Sequence, residues 1–313
     1  MKIIFFGTPK IAIPTLRALL EYKNIEVSLV VCQPDKQSGR GKKIQTAPIK
    51  EFAQKHNIDV YQPNKLKDNI DAYNKIRELN PDYLVVVAYG KILPETILNI
   101  PVHAPINVHF SLLPKYRGAA PVNWSIVKGE ELTGVTTMVM DKGLDTGDIL
   151  LSEKIVINNK DSINLLEELS IVGARLLIDT VNNFKNIKPL PQNHNESTFA
   201  PMLKKEDGLI NWSKDAAEIE RLVRGLKPWP GAFSYYKNKS VKFFSVEVMY
   251  DHNKEMFPGT VSEIKKDSFQ IQCGMNAIKV NELQIEGKRR IKAKDFLSGY
   301  SLKEGEQFHH KII

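Results

Sequence analysis

Through the first half of the chain, short apolar runs alternate with stretches whose apolar positions recur at helical spacing. Residues 2–6, 25–32, 83–88 and 106–110 are the short runs and predict strands, whereas 11–22, 47–56 and 70–79 predict helices. Strands in alternation with helices predict a mostly parallel sheet, since parallel neighbours need long crossovers and a helix is the usual one. Leu84-Val85-Val86-Val87-Ala88 has no polar position, as a strand covered on both faces requires. In such a sheet, chemistry is expected in the loops at the carboxyl ends of the strands.

Two further strands, 133–140 and 149–157, flank a loop at 141–148 that is rich in Gly and Asp. A long helix follows from 162 to about 184, with Asp161 as its N-cap. Pattern then breaks: Pro189, Pro191, Pro201 and the polar run 192–197 read as a linker. Beyond it come a helix at 213–224 and strand-like runs at 232–236, 241–249, 260–264, 268–273 and 277–285, which suit a small barrel. The fold class expected is α/β: a Rossmann-like, mostly parallel sheet domain followed by a smaller β-barrel of OB-like kind. Its expected bounds are 1–188 for the first domain, 189–205 for the linker and 206–313 for the second.

A length of 313 residues agrees with two domains, and 42% hydrophobic with 26% charged residues excludes global disorder. No apolar run reaches the roughly 18 residues of a membrane span, so no membrane partner is expected. The opening residues 1–7 are too short for a secretory core and read as a strand. Cys32 and Cys273 stand far apart with no CxxC pair, which argues against a disulfide framework or a cysteine-based zinc site. A reducing, cytoplasmic setting fits. The net charge of +8 permits an anionic partner and divides unevenly: residues 1–204 and 205–313 each carry +4, so the shorter part has about twice the density. Lysine outnumbers arginine 35 to 9, which makes each arginine a better candidate for a place needing a planar, forked donor.

The richest segment is Asn107-Val108-His109-Phe110-Ser111-Leu112-Leu113-Pro114-Lys115-Tyr116-Arg117-Gly118. On a strand, Asn107 and His109 project from the same face. An amide beside an imidazole can hold a developing oxyanion and move a proton. A lone histidine is more often structural, but two polar groups inside an apolar strand must each find a partner. In the 141–148 loop, Gly143 and Gly147 allow sharp turns. Asp141 and Asp148 read best as turn formers, and one aspartate near His109 would complete an acid–base pair. Gly7 follows the first strand, but no G-x-G-x-x-G accompanies it, so a dinucleotide cofactor is disfavoured. Trp212 and Trp229 are each expected to be buried in packing.

The run Asn107-x-His109-x-Ser111-Leu112-Leu113-Pro114-x-Tyr116-Arg117-Gly118, followed by Asp141-x-Gly143-x-Asp145-Thr146-Gly147-Asp148, resembles the signature of the folate-dependent formyltransferases. That resemblance implies a catalytic trio of Asn107, His109 and Asp145, with no metal. Asn107 and His109 would stabilise the oxyanion, while Asp145 orients the imidazole and steers the amine's proton. Phe6-Gly7-Thr8-Pro9 and the basic loop Gln33 to Lys43 narrow the resemblance to the members that act on methionyl-tRNA for translation initiation. It implies 10-formyltetrahydrofolate as co-substrate, lying against Val87, Ala88, Tyr89, Gly90, Ser111, Leu112, Leu113 and Pro114. It implies initiator methionyl-tRNA as partner, held by Lys36, Arg40, Lys42 and Lys43 and by Lys288, Arg289 and Arg290 of the barrel. No stable protein partner is implied. Taken without the resemblance, the basic loop reads as a solvated charged loop.

The likeness extends through Gly225 to Ala232 and Pro258 to Val261, so it spans nearly the whole chain. It departs at 250–256, which reads as a variable loop, and at the tail His309-His310-Lys311. Sugar-nucleotide formyltransferases and formyltetrahydrofolate hydrolases share the trio and are the nearest rivals. Glycinamide ribonucleotide formyltransferases are shorter and lack a second domain. A nucleic-acid-binding protein with a lapsed active site is the rival from another class, and the intact trio argues against it.

Overall fold

The computed structural model describes residues 1–38, 43–250 and 255–310, with side chains described outside 37–44. Its chain forms two compact units. The first comprises Met1–Pro121, Leu132–Val156 and Leu166–Pro201; the second comprises Val122–Glu131, Ile157–Leu165 and Met202–Ile313.

The elements run β1 (Lys2–Gly7), α1 (Ile13–Glu21), β2 (Glu26–Val31), β3 (Lys36–Ser38), β4 (Lys43–Gln45), α2 (Pro48–Lys55), β5 (Val60–Tyr61) and α3 (Ile70–Glu78). They continue with β6 (Tyr83–Val87), α4 (Glu95–Leu98), β7 (Ala104–His109), β8 (Arg117–Gly118), α5 (Pro121–Val127), β9 (Leu132–Val139), β10 (Ile149–Val156), α6 (Ser162–Asn183) and β11 (Phe199–Ala200). Sheet order in the first unit is β10-β9-β7-β6-β1-β2-β5. The five strands from β7 to β5 are parallel, while β9 runs antiparallel to β7 and β10 antiparallel to β9. The mostly parallel sheet expected from the pattern is present. Strands β6 and β7 are buried at every position, whereas β10, at the sheet edge, alternates buried or half-buried with exposed positions. Asn69 caps α3, its Oδ1 accepting from the Ala72 N–H at 3.0 Å. Strands β3 and β4 pair as an antiparallel hairpin in the segment expected to be a loop.

In the second unit follow α7 (Ala216–Gly225), β12 (Ala232–Tyr236), β13 (Lys239–Met249), β14 (Val261–Ile264), β15 (Phe269–Gln272), β16 (Ala277–Ile285), β17 (Ile291–Lys292) and α8 (Ala293–Gly299). The strands form an antiparallel sheet in the order β12-β13-β16-β15-β14, with β17 on β16. Residues 305–309 hydrogen-bond to both of its edges. His309 exchanges two main-chain bonds with Tyr235 of β12, each 2.8 Å, and Val261 of β14 donates to Glu306 at 2.8 Å. Both edges are thereby tied, which removes exposed pairing groups. Trp212, Phe243, Phe269, Phe296 and Phe308 fill the core, and the Trp212 indole N–H donates to Ser234 Oγ at 2.9 Å.

The division differs from the expected bounds. Residues 189–201, expected as linker, lie in the first unit, and 122–131 and 157–165 lie in the second. Proline and polar composition reports that a segment is irregular; an irregular segment can still be laid along a sheet and hydrogen-bonded there. Among the described residues, no helix is long and apolar enough to cross a membrane.

Candidate active site

Strand β7 lies inside the sheet, so its two polar side chains are surrounded by strands and need partners. Asn107 pairs in register with Val86 on one side and Met138 on the other, and His109 with Thr136. Both are buried. They find their partners on the 141–148 loop and the 111–118 turn. Asn107 Nδ2 donates to Asp145 Oδ1 at 3.2 Å, and His109 Nδ1 lies 3.6 Å from Asp145 Oδ2. The main-chain N–H of Gly118 donates to the same Oδ2 at 2.8 Å. His109 Nε2 lies 2.9 Å from the Tyr116 carbonyl. A carbonyl only accepts, so Nε2 carries a proton and Nδ1 is the nitrogen turned toward the carboxylate.

The loop reaches this place through close backbone approach. A Cβ on Gly147 would sit 1.8 Å from the Val139 carbonyl, so only glycine fits against β9 there. Asp145 adopts a φ of 54°, in the left-handed region, and its side chain is 12% exposed. Asp141 is a turn former as expected, accepting from the Gly143 N–H and the Thr146 hydroxyl. Asn107, His109 and Asp145 are thus brought together. A largely buried carboxylate meets a neutral amide and an imidazole, an arrangement suited to holding an oxyanion and relaying a proton.

The expected folate-contact residues fall into two groups. Ser111 and Leu113 are buried in the turn after β7: Ser111 Oγ donates to the Lys115 carbonyl at 2.7 Å, and its own carbonyl accepts from Thr136 Oγ1 at 2.7 Å. Leu112 and Pro114 beside them are half-buried. Val87, the last residue of β6, and Tyr89 just beyond it are buried, and the Tyr89 ring meets Phe6 edge-on at 5.4 Å. Burial pushes the Tyr89 hydroxyl up to about 12. The Tyr89 carbonyl accepts from Thr8 Oγ1 at 3.0 Å and Gln33 Nε2 at 2.8 Å. Ala88 and Gly90, with φ of 49° and 78°, supply the accessible surface of this segment.

Of the expected tRNA contacts, Lys36 is exposed on β3, opposite Gln45. Arg40 and Lys42 lie outside the described residues, as does the side chain of Lys43. The base of the hairpin is anchored at Asp35, whose carboxylate accepts from Lys50 Nζ at 2.7 Å and Gln62 Nε2 at 2.9 Å. That ammonium, then the Gln62 amide, hold the Asp35 carboxyl below its ordinary range. Lys288, Arg289 and Arg290 belong to the second unit, in the exposed connection between β16 and β17. Arg290 is engaged there, paired with Glu282 and lying over the Phe244 ring at 4.5 Å. Trp212 is buried as expected, but Trp229 is 54% exposed, between an exposed Pro228 and a buried Pro230.

Two contributors escaped the sequence reading. Gln192 and Thr198, in the expected linker, bond directly to the strand and loop that frame Asp145. Nothing in the composition around them marks either one. Arg117 was foreshadowed by the scarcity of arginine, since it is buried and uses its fork on Gln192 and His194. Among the described residues, no group of His, Cys, Asp and Glu could hold a metal ion.

The formyl transferase family profile matches residues 1–179, and that of the formyl transferase C-terminal domain matches 202–301. The methionyl-tRNA formyltransferase of Acetivibrio thermocellus is 46% identical over 309 residues, covering 98% of this chain and 99% of that one. That of Caldanaerobacter subterraneus is 46% identical over 308 residues, with 97% and 99% covered. Among solved structures, an N-formyltransferase from Helicobacter canadensis with folinic acid and dTDP-3-aminofucose shares the fold. Its TM-score is 0.68 at 19% identity, with 93% of this chain and 100% of that chain covered. The chain belongs to the formyl transferase family, alongside the methionyl-tRNA formyltransferases.

Proposed function

We propose that this chain transfers the formyl group of 10-formyltetrahydrofolate to the amino group of initiator methionyl-tRNA. The observation that carries the reading is the convergence of Asn107, His109 and Asp145 at the carboxyl end of β7, in a chain that matches methionyl-tRNA formyltransferases over nearly its full length.

The reaction is acyl transfer between nitrogens. The free amine attacks the formyl carbon, and the carbonyl oxygen becomes negative in a tetrahedral intermediate. Asn107 uses its amide N–H groups on that oxygen, and His109, protonated at Nδ1, adds charge beside it. Asp145 holds both donors in place from below and receives the proton that the amine sheds. Collapse of the intermediate breaks the bond to the folate nitrogen, which takes up a proton as it leaves. Much of the rate comes from holding two reactants in one place. The accessible backbone of Ala88 and Gly90 and the half-buried Leu112 and Pro114 form the wall against which the folate lies. Lys36, Arg40, Lys42, Lys43, Lys288 and Arg289 contact tRNA phosphates, with Arg290 contributing less because Glu282 already holds it.

The test is incubation with 10-formyltetrahydrofolate and either methionyl-tRNA or a dTDP-linked amino sugar. Formylmethionyl-tRNA is the expected product. Formylation of the sugar alone would overturn the reading.

A further inference from the structure

We propose that Gln192 is a positioning residue for formyl transfer, its side-chain amide setting the loop that carries Asp145. The inference rests on the roles of Asn107, His109 and Asp145 just described. Gln192 is 6% exposed, and its amide makes four hydrogen bonds. Oε1 accepts from Arg117 Nε at 3.1 Å and Nη2 at 2.6 Å. Nε2 donates to the carbonyls of Asp145 at 3.0 Å and Gly147 at 2.7 Å. A guanidinium only donates and a carbonyl only accepts, so the amide has one workable orientation.

The placement of those four bonds points beyond packing. Two fall on the main chain of the Asp145 loop, including the carbonyl of Asp145 itself. The other two hold Arg117, which directly precedes Gly118, the residue whose N–H grips Asp145 Oδ2 at 2.8 Å. One side chain therefore fixes both the residue that bears the carboxylate and the strand that holds its oxygen. Asp145 needs such a hold, because its φ of 54° is a sparsely populated conformation for a residue with a side chain. The flanking chain is pinned as well. Leu190 exchanges two bonds of 2.9 Å with Ile149, and Thr198 bonds to Tyr116 and Arg117, next to the carbonyl that fixes His109. Residues 190–200 thus act as a strap on the site, with Gln192 as its contact to Asp145.

A purely structural role, satisfying the buried Arg117, makes a different set of expectations, and two variants separate them. Gln192→Leu removes all four bonds. Gln192→Glu keeps an acceptor for Arg117 but sets a carboxylate oxygen against two carbonyls, so the fold is supported while the loop is released. Gln192→Glu is expected to keep its thermal midpoint and to lose about 10- to 100-fold in kcat, with KM for both substrates within about threefold. In an Asp145→Asn background, the same change is expected to cost little more, since it acts through Asp145. Turnover of both Gln192 variants within about threefold of the parent, or losses that multiply with Asp145→Asn, overturns the inference while leaving the trio intact. Normal turnover by Asp145→Asn alone instead removes the reading on which it rests.

Discussion

Asn107 and His109 sit two residues apart in the middle of a sheet, where an unpaired polar group is costly. Both side chains are turned on one aspartate, and the proposed mechanism rests on these three residues. His109→Ala removes an oxyanion donor and is expected to lower kcat by about 10²–10³-fold with folding retained, as turnover and circular dichroism would show. Turnover near the parent's would detach His109 from the reaction. The two thiols give an independent check on the core. Burial pushes Cys32 up to about 11 and Cys273 to about 12, so neither is expected to react with a thiol reagent at neutral pH in the folded protein. Both should react after denaturation, and fast native labelling would contradict their placement. At this scale the trio was legible because its residue types and spacings form a long motif. Gln192 was not, because its role depends on which backbone carbonyls lie opposite it, and a glutamine among prolines carries no sign of that.

The strands of the first unit were legible for a simple reason: β6 and β7 have nothing polar to offer solvent except the two site residues. Segments that gain their structure from partners were not. The 33–43 segment reads as a charged loop, yet 36–38 pair with 43–45 as β3 and β4, and 305–309 has no strand period yet ties two sheet edges. Glu306 stabilises that closure. Its carboxylate accepts from Lys237 Nζ, Tyr236 Oη and the Lys303 N–H, at 2.7, 2.7 and 2.8 Å. Lys237 foremost, together with the Tyr236 hydroxyl, holds its carboxyl at about 2 instead of 4.5. A lowered carboxyl stabilises the fold fully above its unfolded value, and the contribution fades as pH falls from about 4.5 toward 2. Glu306→Gln is therefore expected to destabilise by about 1 kcal/mol at neutral pH, a modest figure because Lys237 is largely exposed. The gap between parent and variant, followed by urea unfolding, should narrow through that acid window. A gap independent of pH would mean that the ion pair contributes nothing.

Across the whole molecule, composition marks where the chain passes between the two family matches, 1–179 and 202–301, but not which earlier segments join the second compact unit. The boundary was placed by composition at 189–205, whereas 122–131 and 157–165 belong with the second unit. Cutting the chain near Lys204 would strip those segments of the body they pack into, so tRNA binding is better probed in the full chain. Lys288→Ala with Arg289→Ala is expected to weaken tRNA binding, and each phosphate left without its cation should flatten the log–log salt slope by about 0.7–0.9. An unchanged slope would clear this connection of any role with RNA. Arg40→Ala is expected to raise KM for tRNA without altering folate binding, since a forked phosphate donor is removed. The reverse pattern would end the clamp reading.

The most direct test of the central claim is a single-turnover formylation of methionyl-tRNA with saturating 10-formyltetrahydrofolate, run with the parent and with Asp145→Asn. Asparagine nearly preserves the shape but removes the charge that His109 Nδ1 faces, and with it the group that takes the amine's proton in the proposed mechanism. The expected result is rapid formylmethionyl-tRNA formation by the parent and a rate lower by about 10²–10³-fold in the variant, with tRNA binding unchanged. Equal rates would contradict the account.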